Sequence, residues 1–292
     1  MAAATKGRKR RRAKQTSGSE QLDALPAHAL YEAAVQNVEA DADFIERVYR
    51  KARGKAPRRL REDFCGTASL AAHWVTRHRD NRAWGVDLDQ PTLDWGQRHR
   101  VDPVGRRARH VHLLRGDVLD PHRPRVDVQV AFNFSYFVFH DREALGRYFR
   151  SVHASLRRQG VFFLDLFGGT ESLTDLEEVT EVEAQRDPAG WELPAFDYVW
   201  EQSDFNPIDH RIRCHIHFRF GKGRERRRAF TYDWRFWMLP ELRELLANAG
   251  FAKTQVYVEG WDDDEECGDG VFRKRKRFDN EGGWLAYIAA FR

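Results

Sequence analysis

The sequence predicts an α/β fold, doubly wound, with a mostly parallel sheet of seven strands and an antiparallel β insertion after the fifth strand. Between residues 59 and 166, short apolar runs alternate with segments of helical periodicity, as in parallel sheets covered by helices on both faces. Residues 161–166 are almost continuously apolar, as expected of a strand buried on both faces. Residues 211–220 and 229–236 instead alternate polar and apolar side chains, which indicates antiparallel strands with one solvated face.

A basic tail precedes the part of the chain that can fold. Residues 1–20 contain seven lysine or arginine residues and one acid, a balance of +6, whereas the whole chain of 292 residues carries +4. The tail, taken as residues 1–25, is poor in apolar side chains and is expected to be disordered. It is interpreted as a nuclear-type address, as a tether that binds nucleic acid through residues 6–14, or as a solubilising leader. Because the remainder carries −2, nucleic acid is not the favoured partner.

The expected location is the cytoplasm, or the nucleus if the tail is an address in a eukaryote. No apolar run of about 18 residues occurs, so neither a membrane span nor a membrane partner is predicted. The three cysteines, Cys65, Cys214 and Cys267, are too few and too scattered for a disulfide framework. This cysteine usage favours a reducing compartment.

The pattern divides the rest of the chain into a lid, an α/β domain and an insertion. A helical pattern over about residues 28–54 precedes the first strand, and it is interpreted as a lid over the ligand site. Residues 261–283 hold an acidic and then a basic cluster, and they are predicted to form a surface loop whose charges pair. The predicted boundaries are residues 26–57 for the helical lid, 58–169 and 237–292 for the α/β domain, and 170–236 for the antiparallel insertion.

An acid stands at or after the end of each of the first three strands: Glu62, Asp87 and Asp117. In a parallel α/β sheet, ligands bind outside the carboxyl ends of the strands, near the point where the strand order reverses. The turn at residues 64–68 leads from the first strand into a helix, whose N-terminus presents free N–H groups to a ligand. Asp87, at the tip of the second strand, is placed to bind the hydroxyls of a ribose.

This pattern alone fits a dinucleotide as well as S-adenosylmethionine. A dinucleotide loop needs three glycines so that a pyrophosphate can approach the helix, but here only Gly66 is present. Glu62 and Asp63 would repel a pyrophosphate, whereas a carboxylate on the first strand suits a ligand that ends in an ammonium group. The chain also lacks a second mononucleotide-binding half after the fifth strand, which disfavours a dehydrogenase.

Four short motifs stand at the strand ends: residues 62–68 (Glu-Asp-Phe-Cys-Gly-Thr-Ala), 85–88 (Gly-Val-Asp-Leu), 116–118 (Gly-Asp-Val) and 133–135 (Asn-Phe-Ser). Together they resemble the motifs of the Rossmann-like (class I) S-adenosylmethionine-dependent methyltransferases. The resemblance covers about residues 28–292. The insertion is similar to that of the glycine N-methyltransferase-like and sugar N,N-dimethyltransferase group, in which it helps to form the acceptor pocket.

The resemblance implies an enzyme that uses S-adenosylmethionine to methylate a nitrogen or oxygen atom of a small-molecule acceptor. Two alternatives stay open. One is a methyltransferase that acts on RNA or protein, guided by the basic tail. The other is a binding protein that retains the cofactor fold without catalysis.

The resemblance also implies roles for individual residues. Glu62 would contact the methionine amine, Asp87 the ribose hydroxyls, and Asp117 the adenine amino group. Phe64 and Ala68 stand where the family has glycines, which narrows the approach to the cofactor. The full predicted cofactor-binding set, including Tyr31 as a contact from the lid, is Tyr31, Glu62, Phe64, Gly66, Ala68, Asp87, Leu88, Asp117, Val118, Asn133 and Phe134.

Methyl transfer needs mainly the alignment of donor and acceptor, and a base only if the acceptor arrives protonated. Tyr136 and His140 are the candidate catalytic residues, as contacts to the acceptor or the methyl group. Alternatively, Tyr136 is a core residue and His140 caps the helix that follows. Trp200, Trp234 and Trp237 are expected to form the core of the insertion, although aromatic walls would suit an amine acceptor.

No metal site is predicted. His215 and His217 share one face of a strand, which is the spacing of two metal ligands, but no third ligand is evident. These two histidines are therefore expected to face solvent.

Overall fold

The computed structural model describes residues 24–120, 124–221, 223–262 and 267–292. The tail predicted for residues 1–25 lies outside the described residues up to position 23. None of the helices within the described ranges has the length and apolar character needed to cross a membrane. The described α-helices are α1 (Ala27–Val35), α2 (Val38–Arg53), α3 (Ser69–Arg77), α4 (Gln90–Gly96), α5 (Arg142–Ser155) and α6 (Leu239–Asn248). Shorter helical segments of other types span Gln97–Val101, Asp102–His110 and Ser135–Val138.

The described strands form a central sheet, a smaller antiparallel sheet and a two-stranded pair. In chain order they are β1 (Arg59–Asp63), β2 (Arg82–Asp87), β3 (Val111–Arg115), β4 (Val126–Ala131), β5 (Leu156–Gly168), β6 (Leu176–Val182), β7 (Gln185–Arg186), β8 (Glu192–Leu193), β9 (Phe196–Ser203), β10 (Arg211–Phe220), β11 (Arg224–Arg235), β12 (Lys253–Asp262), β13 (Cys267–Arg275) and β14 (Trp284–Phe291).

The central sheet has the strand order β13-β12-β14-β5-β4-β1-β2-β3. Strands β1 to β5 are parallel to one another. Strand β1 pairs in parallel with β2 and β4, β2 pairs with β3, and β4 pairs with β5. The strand order reverses beside β1, so the carboxyl ends of β1, β2 and β4 meet at one edge. This arrangement confirms the predicted mostly parallel α/β sheet. It also brings the strand-end acids to one edge, which is where parallel α/β sheets bind ligands.

The central sheet has eight strands in the described chain, one more than predicted. Strand β13 pairs antiparallel with β12, within the segment predicted to be a surface loop. The ring of Phe272 lies 4.6 Å from that of Tyr287 and 6.0 Å from that of Phe44, so the strand contributes to the core. The loop prediction is wrong here because this aromatic contact depends on chain segments far away in sequence.

Helices cover both faces of the central sheet, which confirms the doubly wound arrangement. Helices α2 and α3 pack on one face, and α5 and α6 pack on the other. Strand β5 serves both cores because its side chains alternate in direction. Val161 and Phe163 pack in the first core, whereas Phe162 and Leu164 pack in the second.

The helix predicted over residues 28–54 is divided into α1 and α2. Gln36 has an extended backbone, and the side chain of Asn37 accepts a hydrogen bond from the N–H of Ala40, which starts α2. The two helices pack on different partners. Leu30 of α1 contacts the core of the insertion, whereas α2 belongs to the helical layer of the central sheet.

The insertion contains a sheet with the order β11-β10-β9-β6, in which neighbouring strands are antiparallel. His215 and His217 do not face solvent as expected, because they are only 2% and 1% exposed. The Nδ1 atom of His215 is 2.9 Å from the hydroxyl of Thr231, and Nε2 of His217 is 2.9 Å from a carboxylate oxygen of Glu201. Within the described residues, no group of three metal-binding side chains is placed to hold an ion.

Candidate active site

The loop between β1 and α3 is a turn with left-handed backbone. Phe64, Gly66 and Ala68 have φ angles of 55°, 51° and 58°. Glycine takes such angles freely, whereas each of the other two residues adds roughly 1 kcal/mol or more of strain. Packing stabilises the turn, because the ring of Phe64 lies 5.7 Å from that of Tyr148 and Ala68 is fully buried. Phe64 and Ala68, identified by the resemblance as standing at glycine positions, thus adopt the backbone that glycine favours.

A buried hydrogen-bond network lies beneath this loop. The carboxylate of Asp63 accepts from Nε of Arg61 and Nε2 of Gln129, each at 2.6 Å, and from the hydroxyl of Tyr148 at 2.8 Å. Asp63 and Arg61 are both 1% exposed. Asp63 therefore fixes the end of β1, whereas the carboxylate of Glu62 takes no part in this network.

The carboxyl ends of β1, β2 and β4 open into a cavity of about 400 Å³, here called the strand-end cavity. Helix α1 covers it from one side, and β11 of the insertion covers it from another. Six of the predicted cofactor-binding residues line it: Tyr31, Glu62, Phe64, Gly66, Asp87 and Asn133.

The other five predicted cofactor residues are not among those that line this cavity. Leu88 is 67% exposed, which is unusual for a large apolar side chain. The N–H of Gly116 donates to the carbonyl of Asp87 at 3.0 Å, which brings Asp117 beside the end of β2. Ala68 and Val118 are buried and are not part of the cavity wall.

Glu62 is the acid with the largest change of pKa at this edge. Its carboxylate accepts from the N–H of Ala71 in the first turn of α3, at 3.0 Å. Burial raises the pKa of Glu62 to about 8, with smaller contributions from Asp41 and Asp87, while the Ala71 hydrogen bond lowers it. Without a ligand, this side chain is mainly protonated at neutral pH.

Asp87 is held at the tip of β2 by two backbone groups. Its carboxylate accepts from the N–H of Gly66 at 2.8 Å and from the N–H of Asp89 at 2.9 Å. These bonds join the first loop to the end of β2 and fix the carboxylate at the cavity wall. This is where an acid can meet a ligand's hydroxyl groups.

A second cavity, of about 470 Å³, lies between the central sheet and the inner face of the insertion and is here called the insertion cavity. Glu171 and Glu178 line it with exposed carboxylates, and none of the lysine or arginine residues that the structure describes does. Trp200 and Trp234 line it as well, so these two side chains form a cavity wall in addition to the expected core. The other aromatic side chains in its wall are Tyr31, Phe134, Phe167, Tyr198, Tyr232 and Trp284.

The two cavities share part of their walls. Tyr31, Asn133, Tyr232 and Trp234 line both of them. The ring of Tyr31 lies 5.1 Å from that of Phe230, and the rings of Tyr232 and Trp234 are stacked at 4.4 Å. Only single side chains therefore separate a ligand in one cavity from a ligand in the other.

The turn at Asn133 and Phe134 forms part of this shared wall. Both residues have left-handed backbone, with φ of 57° and 58°. Their N–H groups donate to the two carboxylate oxygens of Asp165, at 2.8 and 3.0 Å. Burial raises the pKa of Asp165 to about 7, and the two N–H donors partly oppose that rise.

The two predicted catalytic residues lie outside both cavities. Tyr136 is 0% exposed, and its hydroxyl donates to the backbone carbonyl of Asp165 at 2.7 Å. Nε2 of His140 is 2.8 Å from the backbone carbonyl of Asp233 in β11. Asp141, and not His140, caps α5 through the N–H of Ala144. Tyr136 is therefore a core residue, which was the alternative expected for it. The alternative expected for His140, that it caps the following helix, is wrong.

Several residues that the sequence did not single out also reach the site. His28 and Phe230 line the strand-end cavity from α1 and β11. Glu32 of α1 accepts a hydrogen bond from Thr67, in the loop between β1 and α3, and another from Arg100. Arg100 in turn pairs with Asp187 of the insertion. The helical spacing of positions 28, 31 and 32 was the available signal, since it places three polar side chains on one face of α1.

Comparison with known proteins finds relatives by structure alone. No protein-family model matches the sequence, and no curated protein matches it. A methyltransferase from Clostridium acetobutylicum, described as dependent on S-adenosylmethionine, is similar with a TM-score of 0.60 and 17% identity, over 90% of this chain and 96% of that one. The fold defined by the sheet and the insertion is thus that of S-adenosylmethionine-dependent methyltransferases.

Two further similar structures carry more specific names. CalS10 from Micromonospora echinaspora, an amino pentose methyltransferase solved with S-adenosylmethionine bound, has a TM-score of 0.63 and 17% identity, over 91% of this chain and 96% of that one. The sugar N-methyltransferase KedS8 from Streptoalloteichus has a TM-score of 0.60 and 20% identity, over 98% of this chain and 99% of that one. The likeness covers both the central sheet and the insertion.

Proposed function

We propose that this chain is an enzyme that transfers a methyl group from S-adenosylmethionine to a nitrogen or oxygen atom of a small-molecule acceptor, with an amine nitrogen favoured. The observation that carries the proposal is the shared wall of the two cavities, to which Tyr31, Asn133, Tyr232 and Trp234 contribute. Displacement at a methyl group requires the two reacting atoms to meet in line at close range. Two ligand cavities that adjoin across single side chains meet this requirement.

The strand-end cavity fits the donor. When bound, S-adenosylmethionine supplies a methyl group activated by a positively charged sulfur. Glu62 would pair with the ammonium of the methionine part, and Asp87 would bind the ribose hydroxyls. Leu88 would pack on the adenine, which accounts for an apolar side chain that is 67% exposed. Asp117, beside the end of β2, would accept the adenine amino group.

The insertion cavity fits an amine acceptor. Glu171 and Glu178 attract a cation, and the ring faces of Trp200 and Tyr232 add a cation–π attraction. By their names, CalS10 and KedS8 methylate an amino pentose and a sugar nitrogen. An amino sugar is therefore the first acceptor to test. Tyr136 and His140 take no part in this proposal because both lie outside the cavities.

The test combines donor binding with a screen for transfer. Calorimetry with S-adenosylmethionine should detect binding to the wild type and the loss of most binding in Asp87→Ala. The matched control is Asp80→Ala, which removes an exposed acid just before β2, at the opposite end of that strand. Radiolabelled donor is then incubated with amino sugars, other amines, alcohols, a peptide and RNA. Equal donor affinity in Asp87→Ala and the wild type would contradict the cofactor assignment.

A further inference from the structure

Asp165 is a buried carboxylate that serves the wall between the two cavities. It lies on β5 and is 4% exposed. Each of its carboxylate oxygens accepts one backbone N–H, from Asn133 and from Phe134. Among the described residues it forms no salt bridge with a basic side chain, so its charge is met by backbone dipoles.

The turn that Asp165 holds has an unfavourable backbone. Asn133 and Phe134 are two successive residues other than glycine with positive φ. Such a turn directs neighbouring N–H groups to the same side, where an anion can accept both. The carboxylate therefore compensates for a backbone conformation that the sequence alone disfavours.

The same turn determines where the two ligands meet. Asn133 lines both cavities, and Phe134 lines the insertion cavity. The ring of Phe134 lies 4.9 Å from that of Phe167 and 6.2 Å from that of Trp234. A shift of the turn would move side chains in both cavities at once.

We propose that Asp165 is a positioning residue for methyl transfer, whose carboxylate clamps the Asn133–Phe134 turn and so fixes the alignment of donor and acceptor. This inference rests on the proposed function for its effect on rate, whereas the clamp itself can be measured without any ligand. The titratable groups that face Asp165 are Asp41 of α2, Tyr287 of β14, Tyr31 of α1 and Tyr136 after β4. None of these groups can replace a carboxylate that accepts two N–H groups.

The chain offers a matched control. Asp127, on β4, is also buried, and one of its carboxylate oxygens accepts the backbone N–H groups of two successive residues, Arg58 and Arg59, each at 3.0 Å, while the other oxygen pairs with Arg157 at 3.1 Å. It does so at the start of β1, at the opposite edge of the sheet from both cavities. Asp165→Asn and Asp127→Asn therefore make the same chemical change, and only the first changes the turn at the cavities.

Two measurements compare these variants with the wild type. The first is hydrogen exchange of the peptide that contains Asn133 and Phe134, without donor or acceptor. Exchange there should be at least about tenfold faster in Asp165→Asn and unchanged in Asp127→Asn. The second is methyl transfer, in which kcat should fall on the order of 100-fold in Asp165→Asn, with both KM values within about threefold of the wild type. Asp127→Asn should keep kcat within about twofold.

The outcomes separate the clamp from the proposed function. If Asp165→Asn does not fold, the same measurements compare the double variant Asp165→Asn/Asn133→Gly with Asn133→Gly alone, because glycine takes positive φ without steric cost. The proposal would be overturned if the turn exchanged as slowly in Asp165→Asn as in the wild type. It would also be overturned if kcat fell no further in Asp165→Asn than in Asp127→Asn. If the wild type transfers no methyl group to any acceptor, the proposed function fails, and the exchange result still decides whether Asp165 clamps the turn.

Discussion

The pKa of Glu62 makes donor binding dependent on pH. In the free protein, burial raises this pKa to about 8. If Glu62 pairs with the ammonium of S-adenosylmethionine, the bound donor favours the carboxylate and lowers the pKa again. Binding must then release a proton from Glu62 at neutral pH, and the affinity must rise as the pH rises towards the free-state pKa.

The size of the effect follows from the two pKa values. At pH 7 a carboxyl with a pKa of about 8 is roughly nine-tenths protonated. An opposite charge within about 4–6 Å lowers a carboxyl pKa by about 1–3 units. With a fall of about two units, each bound donor releases about 0.8 proton at pH 7, and the affinity rises about fivefold between pH 6 and pH 7.

The assay is calorimetry with S-adenosylhomocysteine, which is expected to keep the same contact with Glu62. Titrations at about pH 6.0, 6.5 and 7.0 stay below the range in which an α-amino group titrates, about 7.7–8.0. Buffers of different ionisation enthalpy give the number of protons released. Glu62→Gln should bind more weakly, with no release and no dependence on pH, whereas Glu39→Gln, at an exposed site on α2, should behave as the wild type.

Two results would refute this reasoning. One is a wild-type affinity that stays constant between pH 6 and pH 7 without proton release. The other is a Glu62→Gln variant that keeps the wild-type pH dependence, which would assign the titration to another group. A second consequence concerns the free protein. Because the folded-state pKa of Glu62 lies above its ordinary value of 4.5, its contribution to stability falls as the pH rises from about 4.5 to 8.

Three further predictions concern other parts of the chain. Ala68→Gly should raise the free energy of unfolding by about 0.5–1 kcal/mol in a urea titration, because the left-handed backbone no longer carries a β-carbon. The control Ala71→Gly, within helix α3, should lower the free energy of unfolding by about 1 kcal/mol. A lower free energy of unfolding in both variants would contradict the strain argument. Glu178→Gln should raise KM for an amine acceptor about tenfold and leave donor affinity unchanged, since removing one charge at a cavity wall costs on the order of 1 kcal/mol. Glu181→Gln, on the opposite face of β6, is the control. The same KM in Glu178→Gln as in the wild type would exclude Glu178 from acceptor binding. Deletion of residues 1–20 should leave kcat/KM for a small acceptor within about twofold in the radiolabel assay, because every described residue that lines the two cavities lies at position 28 or beyond. A loss of activity in the deletion variant would favour an RNA or protein substrate.

The edge of the sheet that carries the strand-end acids could be predicted because its signals are local. Strand ends and the acids beside them follow from short apolar runs, so Glu62, Asp87 and Asp117 could be placed at neighbouring strand ends before any contact was known. The order of the strands then follows from the rules for parallel sheets. The antiparallel insertion could be predicted for the same reason, since its alternating pattern lies within single strands.

The features that escaped prediction depend on partners far away in sequence. Strand β13 exists because it pairs with β12 and packs Phe272 on Tyr287. His215 is buried because the fold brings Thr231 beside it, which its own strand does not reveal. The role proposed for Asp165 could not be predicted from the sequence, because its bonds to the turn after β4 are visible only in the folded chain.

The inner face of the insertion has a consequence for how this fold can diversify. The proposed donor contacts come mainly from the ends of the parallel strands, whereas eight of the twenty residues that line the insertion cavity stand at alternate positions of β6, β9, β10 and β11. Because side chains of a strand alternate between faces, every second residue of these strands can change size or charge while the strand pairing stays intact. Acceptor selectivity can therefore evolve, or be engineered, as a set of substitutions on one sheet face. Tyr232 and Trp234 are the exceptions, since a change at either would also alter the strand-end cavity.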